Sequence, residues 1–287
     1  MSKLLDQSVE VIKSNGLEIA FTILEVGALK LDEKDEPFYK LFEHFQSSKI
    51  YGFEIDKDVC NNLNSKAKSG IRYFPHALGE QSERRKLHIT NHSMCSSLYK
   101  PNEAFLDLYQ NLDVAKKKSE VEIDTISLDK FIEDNEVGSI DFIKIDVQGA
   151  ELDIFKGAPK ALKNTLKIVC EVGFVPLYEG QPLFGDVCNI LERHNLMFNR
   201  FLGLAGRSLK PLILNNNPNF ASQHMWSDAI YIKHVAMIPS LNNEELIKLA
   251  LLAATYGSAD LVHYCLANFD NNNQTNLATQ WMRAILK

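Results

Sequence analysis

The stretch "SIDFIKIDVQGAELDIF", residues 139–155, sets an apolar run beside a turn and then a helix-forming segment. Ile140 to Ile145 is interrupted only by Asp141 and Lys144, and the run ends in Asp146. A short apolar run bounded by turn residues reads as a buried strand. Gly149 permits a tight turn. Ile154, Phe155, Ala158 and Leu162 then recur at helical spacing, which predicts a helix laid on a sheet. Gly157 and Pro159 break and restart that helix. A carboxylate ending a strand just before such a turn lies at the carboxyl edge of the sheet, where open α/β folds bind ligands.

The same pattern occurs upstream. "IAFTILEVG" (19–27) reads as a buried strand closed by Glu25 and turned by Gly27. "KIYGFEI" (49–55) is a second strand that ends at Glu54, and "IRYFPHAL" (71–78) is a third. Helices are expected over 4–14, near 37–47 and over 56–68. Alternating strands and helices predict a doubly wound, mostly parallel sheet with helices on both faces. Residues 79–120 interrupt the order as an insertion or lid, with a helix near 102–112. In its loop "NHSMCSSLYKPN", Ser96 and Ser97 offer hydroxyls and Tyr99 a stacking face, over substrate or cofactor or simply at the surface. "EVEIDTI" resumes extended structure, and "SLDKFIEDN" is a short helix capped near Ser127. After residue 155 come the strand "TLKIVCEVG", a helix near 183–194, "LMFNRFLG" and the edge strand "SDAIYIKH". From about residue 241 the signals are helical only. The expected division is a domain over 1–238 and a small C-terminal helical appendage over 239–287. Within the latter, "LIKLALLAATY" suits a core or a homo-oligomer face equally.

Composition narrows the function. The 287 residues are 45% hydrophobic and 24% charged, ordinary for a soluble domain. A net charge of −6 argues against nucleic acid as partner. Five cysteines without a CxxC pair argue against a disulfide framework or structural zinc, and no apolar run nears the roughly 18 residues that span a bilayer. With a charged N-terminal segment, these features give an expectation of a reduced, cytoplasmic protein without a membrane span. His88 and His92, four apart but outside a helical pattern, read as surface histidines; Asp146, Glu151 and Glu171 could bind magnesium, but no spacing demands it, so no metal site is assigned.

The strand ends carry the candidate chemistry. Gly27 lets a ligand approach the backbone, or merely makes a turn. No GxGxxG or GxxxxGK[ST] is present, which disfavours a dehydrogenase or a phosphate-gripping loop. Glu54 suits the vicinal hydroxyls of a ribose, with Ile55 against an adenine face; alternatively it is a carboxylate at the start of the next helix. Glu151 falls in a first helical turn, where dipole compensation is the simpler role.

"IDFIKIDVQGAELDIFKGA" (140–158) closely resembles the signature of FkbM-type methyltransferases, whose usual form has Glu where this chain has Gln148. "LEVGA" (24–28), "GFEID" (52–56), "HALGE" (76–80), "CSSLYKPN" (95–102), "TISLD" (125–129), "CEVGFVPLYEGQPLF" (170–184) and "WSDAIYI" (226–232) follow the family order. The likeness spans roughly residues 20–235. It implies a class I methyltransferase (Rossmann-like) fold: a seven-stranded sheet with one antiparallel edge strand. It implies S-adenosylmethionine as cofactor and O-methylation of a hydroxyl on a small-molecule or glycan acceptor, such as a sugar or another secondary metabolite. By that resemblance Glu25, Val26, Gly27 and Ala28 approach the methionine part, Glu54 holds the ribose beside Ile55, and His76 and Ala77 edge the adenine. Asp146 stands near the amino group or the transferred methyl. A hydroxyl needs a base, for which Asp146, Glu171, Glu151 and His92 are the candidates, Asp146 first. Two departures motivate an alternative, a catalytically silent binding or assembly module of the same fold: Gln148 removes a carboxylate, and "VGALKLDEK" lacks a second glycine.

Overall fold

A computed structural model describes residues 2–28 and 36–286. Its strands are β1 (Thr22–Val26), β2 (Lys49–Phe53), β3 (Ile71–Phe74), β4 (Ala77–Gly79), β5 (Arg84–Thr90), β6 (Lys117–Ser127), β7 (Phe142–Ile145), β8 (Lys167–Gly173), β9 (Leu196–Phe201) and β10 (Trp226–Lys233). Its helices are α1 (Ser2–Ser14), α2 (Pro37–His44), α3 (Lys57–Lys66), α4 (Glu103–Leu106), α5 (Leu128–Asp134), α6 (Glu151–Lys156), α7 (Pro159–Asn164), α8 (Phe184–Arg193), α9 (Asn243–Thr255), α10 (Ala259–Asn273) and α11 (Leu277–Ile285). The loop expected after β1 falls on residues 29–35, outside the described residues.

Seven strands form one sheet in the order β3-β2-β1-β7-β8-β10-β9. The pairs from β3 through β8 are parallel, and β10 is antiparallel to both its neighbours. The chain lays β2 and β3 on one side of β1, then returns to place β7 on the other. That reversal leaves a crevice beyond the carboxyl ends of β1 and β7. Adjacent residues of β1 face opposite layers, as strand geometry requires. Ile23 joins a core with α1, α2 and the C-terminal helices, whereas Leu24 joins a core with α5 to α8.

Three expectations need correction. "SDAIYIKH" is not the edge: β10 lies between β8 and β9, and β9 is the edge. The sequences agree with that placement, since β10 is a nearly continuous buried run and β9 is half-exposed. "IRYFPHAL" is two strands, because Pro75 ends β3 and the chain leaves for a second sheet, β4-β6-β5. The helix near 102–112 shrinks to α4. That short helix and the turns after it still bury Leu106, Tyr109 and Leu112 against Val175 and Met225.

The C-terminal helices are present and share the core of the sheet. Leu246, Ile247, Leu249, Leu251 and Leu252 of α9 are buried with Ile23, Phe142 and Val169. Lys167 of β8 is buried and donates from Nζ to the Leu252 carbonyl at 2.9 Å. Lys248 reaches Asp141 at 3.1 Å. The run "LIKLALLAATY" is therefore used inside this chain. Among the described residues, no helix is long and apolar enough to cross a membrane.

Candidate active site

The crevice between β1 and β7 is closed at its floor by backbone contact. Gly27 has φ +80°, and a Cβ on it would stand 2.0 Å from the Asp146 carbonyl oxygen. The Asp146 N–H donates to the Val26 carbonyl at 3.0 Å, which registers the two strand ends. Only a residue without a side chain fits this approach in a left-handed conformation.

A cleft of about 920 Å³ opens above it. It is lined by every residue nominated for the cofactor: Glu25, Val26, Gly27, Ala28, Glu54, Ile55, His76, Ala77 and Asp146. Ser96 and Ser97 of the insertion also line it. The cap of α3 is Asp56, whose side chain accepts from the Asp58 and Val59 N–H groups at 2.9 and 3.0 Å. Glu54 is thereby freed from capping. It is half-buried, accepts from the Asp56 N–H through Oε1 at 2.9 Å, and burial pushes its carboxyl up. Glu25 is buried and accepts from the Tyr39 hydroxyl at 2.5 Å. His76 stacks near Phe74 and meets Phe131 edge-on.

Asp146, Glu151 and Glu171 converge, with oxygens within 4.8 Å of one another. Gln148 sits among them at φ +56° and supplies the contacts a neutral amide can make. Its Nε2 donates to Asp146 Oδ1 and to Glu171 Oε2, each at 2.7 Å. Its Oε1 accepts from the Tyr178 hydroxyl at 3.2 Å, and its carbonyl accepts from the Ser97 hydroxyl at 2.7 Å. Three carboxylates make a donor set for a hard cation. Here amide N–H groups already point into two of them. Burial pushes Glu171 well above the usual carboxylate range, and the neighbouring Asp146 and Glu151 add to it. Burial raises Glu151 to about 7, against the lowering effect of the Val147 and Gly149 N–H groups that its Oε1 accepts. That side chain closes the turn ahead of its own helix, so dipole compensation alone is too small a description of it.

Gln148 also lines two cavities. Behind it lies a second one of about 110 Å³, whose wall includes Glu151, Glu171, Tyr178, Arg207, Trp226 and Cys95. Tyr99 does not line either cavity. Its hydroxyl donates to Asp153 at 3.1 Å and its ring lies beside the Arg85 guanidinium, so the expected stacking face is turned away. His92 lines neither cavity and is not part of the carboxylate group.

Sequence reasoning missed Lys144, Tyr178, Arg207 and Trp226. Lys144 left a signal, a lone cation in an apolar strand. It lines the large cleft and donates to Asp228 at 3.0 Å. Burial alone would lower its ammonium, but Asp146 and Asp228 hold it above its ordinary value. Tyr178 and Arg207 sit in loops, where no periodicity marks them.

No curated protein matches the chain. Among solved structures, a candidate methyltransferase from Thermoplasma acidophilum is similar at 12% identity and a TM-score of 0.33, covering 76% of this chain and 70% of that one. The model of the Methyltransferase FkbM domain matches residues 25–196, which run from the end of β1 to the start of β9 and enclose the crevice and its carboxylates. With more than half of its length matched, across the very elements that build the site, the chain belongs to the FkbM methyltransferase family.

Proposed function

We propose that the chain transfers a methyl group from S-adenosylmethionine to a hydroxyl of a sugar, glycan or other secondary metabolite. The observation that carries this is one continuous wall: Glu54 at the end of β2, Gly27 and Ala28 after β1, and Asp146 after β7 all face a single cleft. Its size and its mixture of small, apolar and acidic residues fit a charged nucleoside. Glu54 would hold the ribose through the carboxylate oxygen that Asp56 leaves open. Ile55, His76 and Ala77 would flank the adenine. Glu25 through Ala28 would meet the methionine part, with Asp146 near its amino group.

When bound, S-adenosylmethionine supplies an electrophilic methyl carbon whose bonding electrons remain on sulfur as it leaves. The chain must align the acceptor, exclude water and take the hydroxyl proton. Asp146 lines the cofactor side of Gln148 and Glu171 the other side. We assign proton removal to Glu171 and donor orientation to Asp146, with Glu151 holding the turn that carries both Gln148 and Gly149. A base must stand within hydrogen-bond reach of the hydroxyl, and Glu171 is on the acceptor-side wall. The five free cysteines suit a reducing, cytoplasmic setting.

Calorimetric titration with S-adenosylmethionine tests the reading. Saturable heat is expected, and Glu54→Ala is expected to weaken binding by about 1–3 kcal/mol, the scale for losing charge-assisted hydrogen bonds. Absence of heat at high cofactor concentration would sink it and favour the silent module.

A further inference from the structure

We propose that the small cavity behind Gln148 takes the methyl acceptor, and that this acceptor is a small hydroxylated anion whose charged group pairs with Arg207. The inference deepens the cofactor reading and rests on it, because only then does this cavity adjoin the donor's cleft, at Gln148.

Arg207 is the anomaly. It is half-buried on the cavity wall and lies over the Trp226 ring, 4.8 Å from its centroid. Its Nη1 donates to the adjacent Gly206 carbonyl, while its buried Nε has no acceptor. Among the described residues, no carboxylate lies within ion-pair distance of it. Among the described residues, the other arginine that is not exposed, Arg85, meets Asp153 and Glu83. A cation withdrawn from water without a partner is costly, and burial indeed pulls the Arg207 guanidinium below its ordinary value. Its planar fork matches a carboxylate or phosphate. The same wall presents Glu171 to accept a hydroxyl proton, and Leu112, Leu177 and Trp226 to cover an apolar body. An anion at Arg207 with its hydroxyl at Glu171 satisfies both of these polar groups on the wall.

The test is calorimetry on the full chain saturated with S-adenosylhomocysteine. Two probe pairs small enough for the cavity differ in charge: glycolate against glycolamide, and lactate against lactamide. At least one anion is expected to bind ten times more tightly than its neutral partner, or better. Arg207→Met is expected to remove that preference while S-adenosylhomocysteine affinity is kept, and Arg207→Lys to restore part of it. No preference in either pair, or one that persists in Arg207→Met, overturns the acceptor assignment and leaves the cofactor reading standing. Failure of S-adenosylhomocysteine to bind overturns both.

Discussion

At the scale of a single residue, Gln148 and Glu151 divide the work of an acidic pocket. A carboxylate at position 148 would face Asp146 and Glu171 where the amide now donates to both. The amide keeps the three carboxylates together without a fourth charge. Glu151 and Glu171 both bear the cost of burial, and Glu151 shows it in a measurable range. Its folded value near 7 lies above its ordinary 4.5, so the folded state keeps a proton that the unfolded chain releases. That stabilisation is complete below pH 4.5 and is lost as pH rises from there through about 7. Glu151→Gln cannot titrate and can still accept the two backbone N–H groups. Relative to the parent, it is expected to gain on the order of 2–3 kcal/mol of stability between about pH 4.5 and about pH 8. Urea unfolding of both proteins at the two pH values measures this; an unchanged difference would refute the assignment.

At the scale of elements, the meeting of β1 and β7 sets the crevice. Gly27→Ala would drive a Cβ into the Asp146 carbonyl and hold alanine at φ +80°. The expected loss is about 2–4 kcal/mol from overpacking and left-handed strain together. Binding of S-adenosylmethionine should weaken as well, because both strand ends must shift. A variant with the parent's urea midpoint and affinity would show that the contact is dispensable. The elements themselves were largely legible. Gly27, Glu54 and Asp146 stand where strand patterns stop, and strand ends meet in a parallel sheet. The split of "IRYFPHAL" was signalled by Pro75 but not its destination, since pairing of β4 with β6 joins segments nearly fifty residues apart. The order of β9 and β10 left only the near-continuous apolar run of β10 as a trace, because which strands pair is settled by segments distant along the chain.

At the scale of the whole molecule, the C-terminal helices are part of one layer of the fold. Five Leu and Ile side chains of α9, Leu246, Ile247, Leu249, Leu251 and Leu252, are at most 1% exposed. Their burial is worth roughly 8–15 kcal/mol at about 1.5–3 kcal/mol each, comparable to the whole stability of a domain. A chain ending at residue 240 is expected to lose its cooperative thermal transition, read by circular dichroism. A cooperative melt of that truncated chain would show that the sheet stands without α9.

The amino-acid order alone determined the alternation of strands and helices, the carboxyl-edge turns and the family signature, because these rest on neighbours along the chain. Only the tertiary structure decided that Gln148 bridges Asp146 and Glu171, that Tyr99 turns toward Asp153 rather than the cleft, and that Arg207 stands on a cavity wall without a counter-charge. Those outcomes depend on side chains from distant segments meeting where water is excluded, and local pattern carries no record of such meetings.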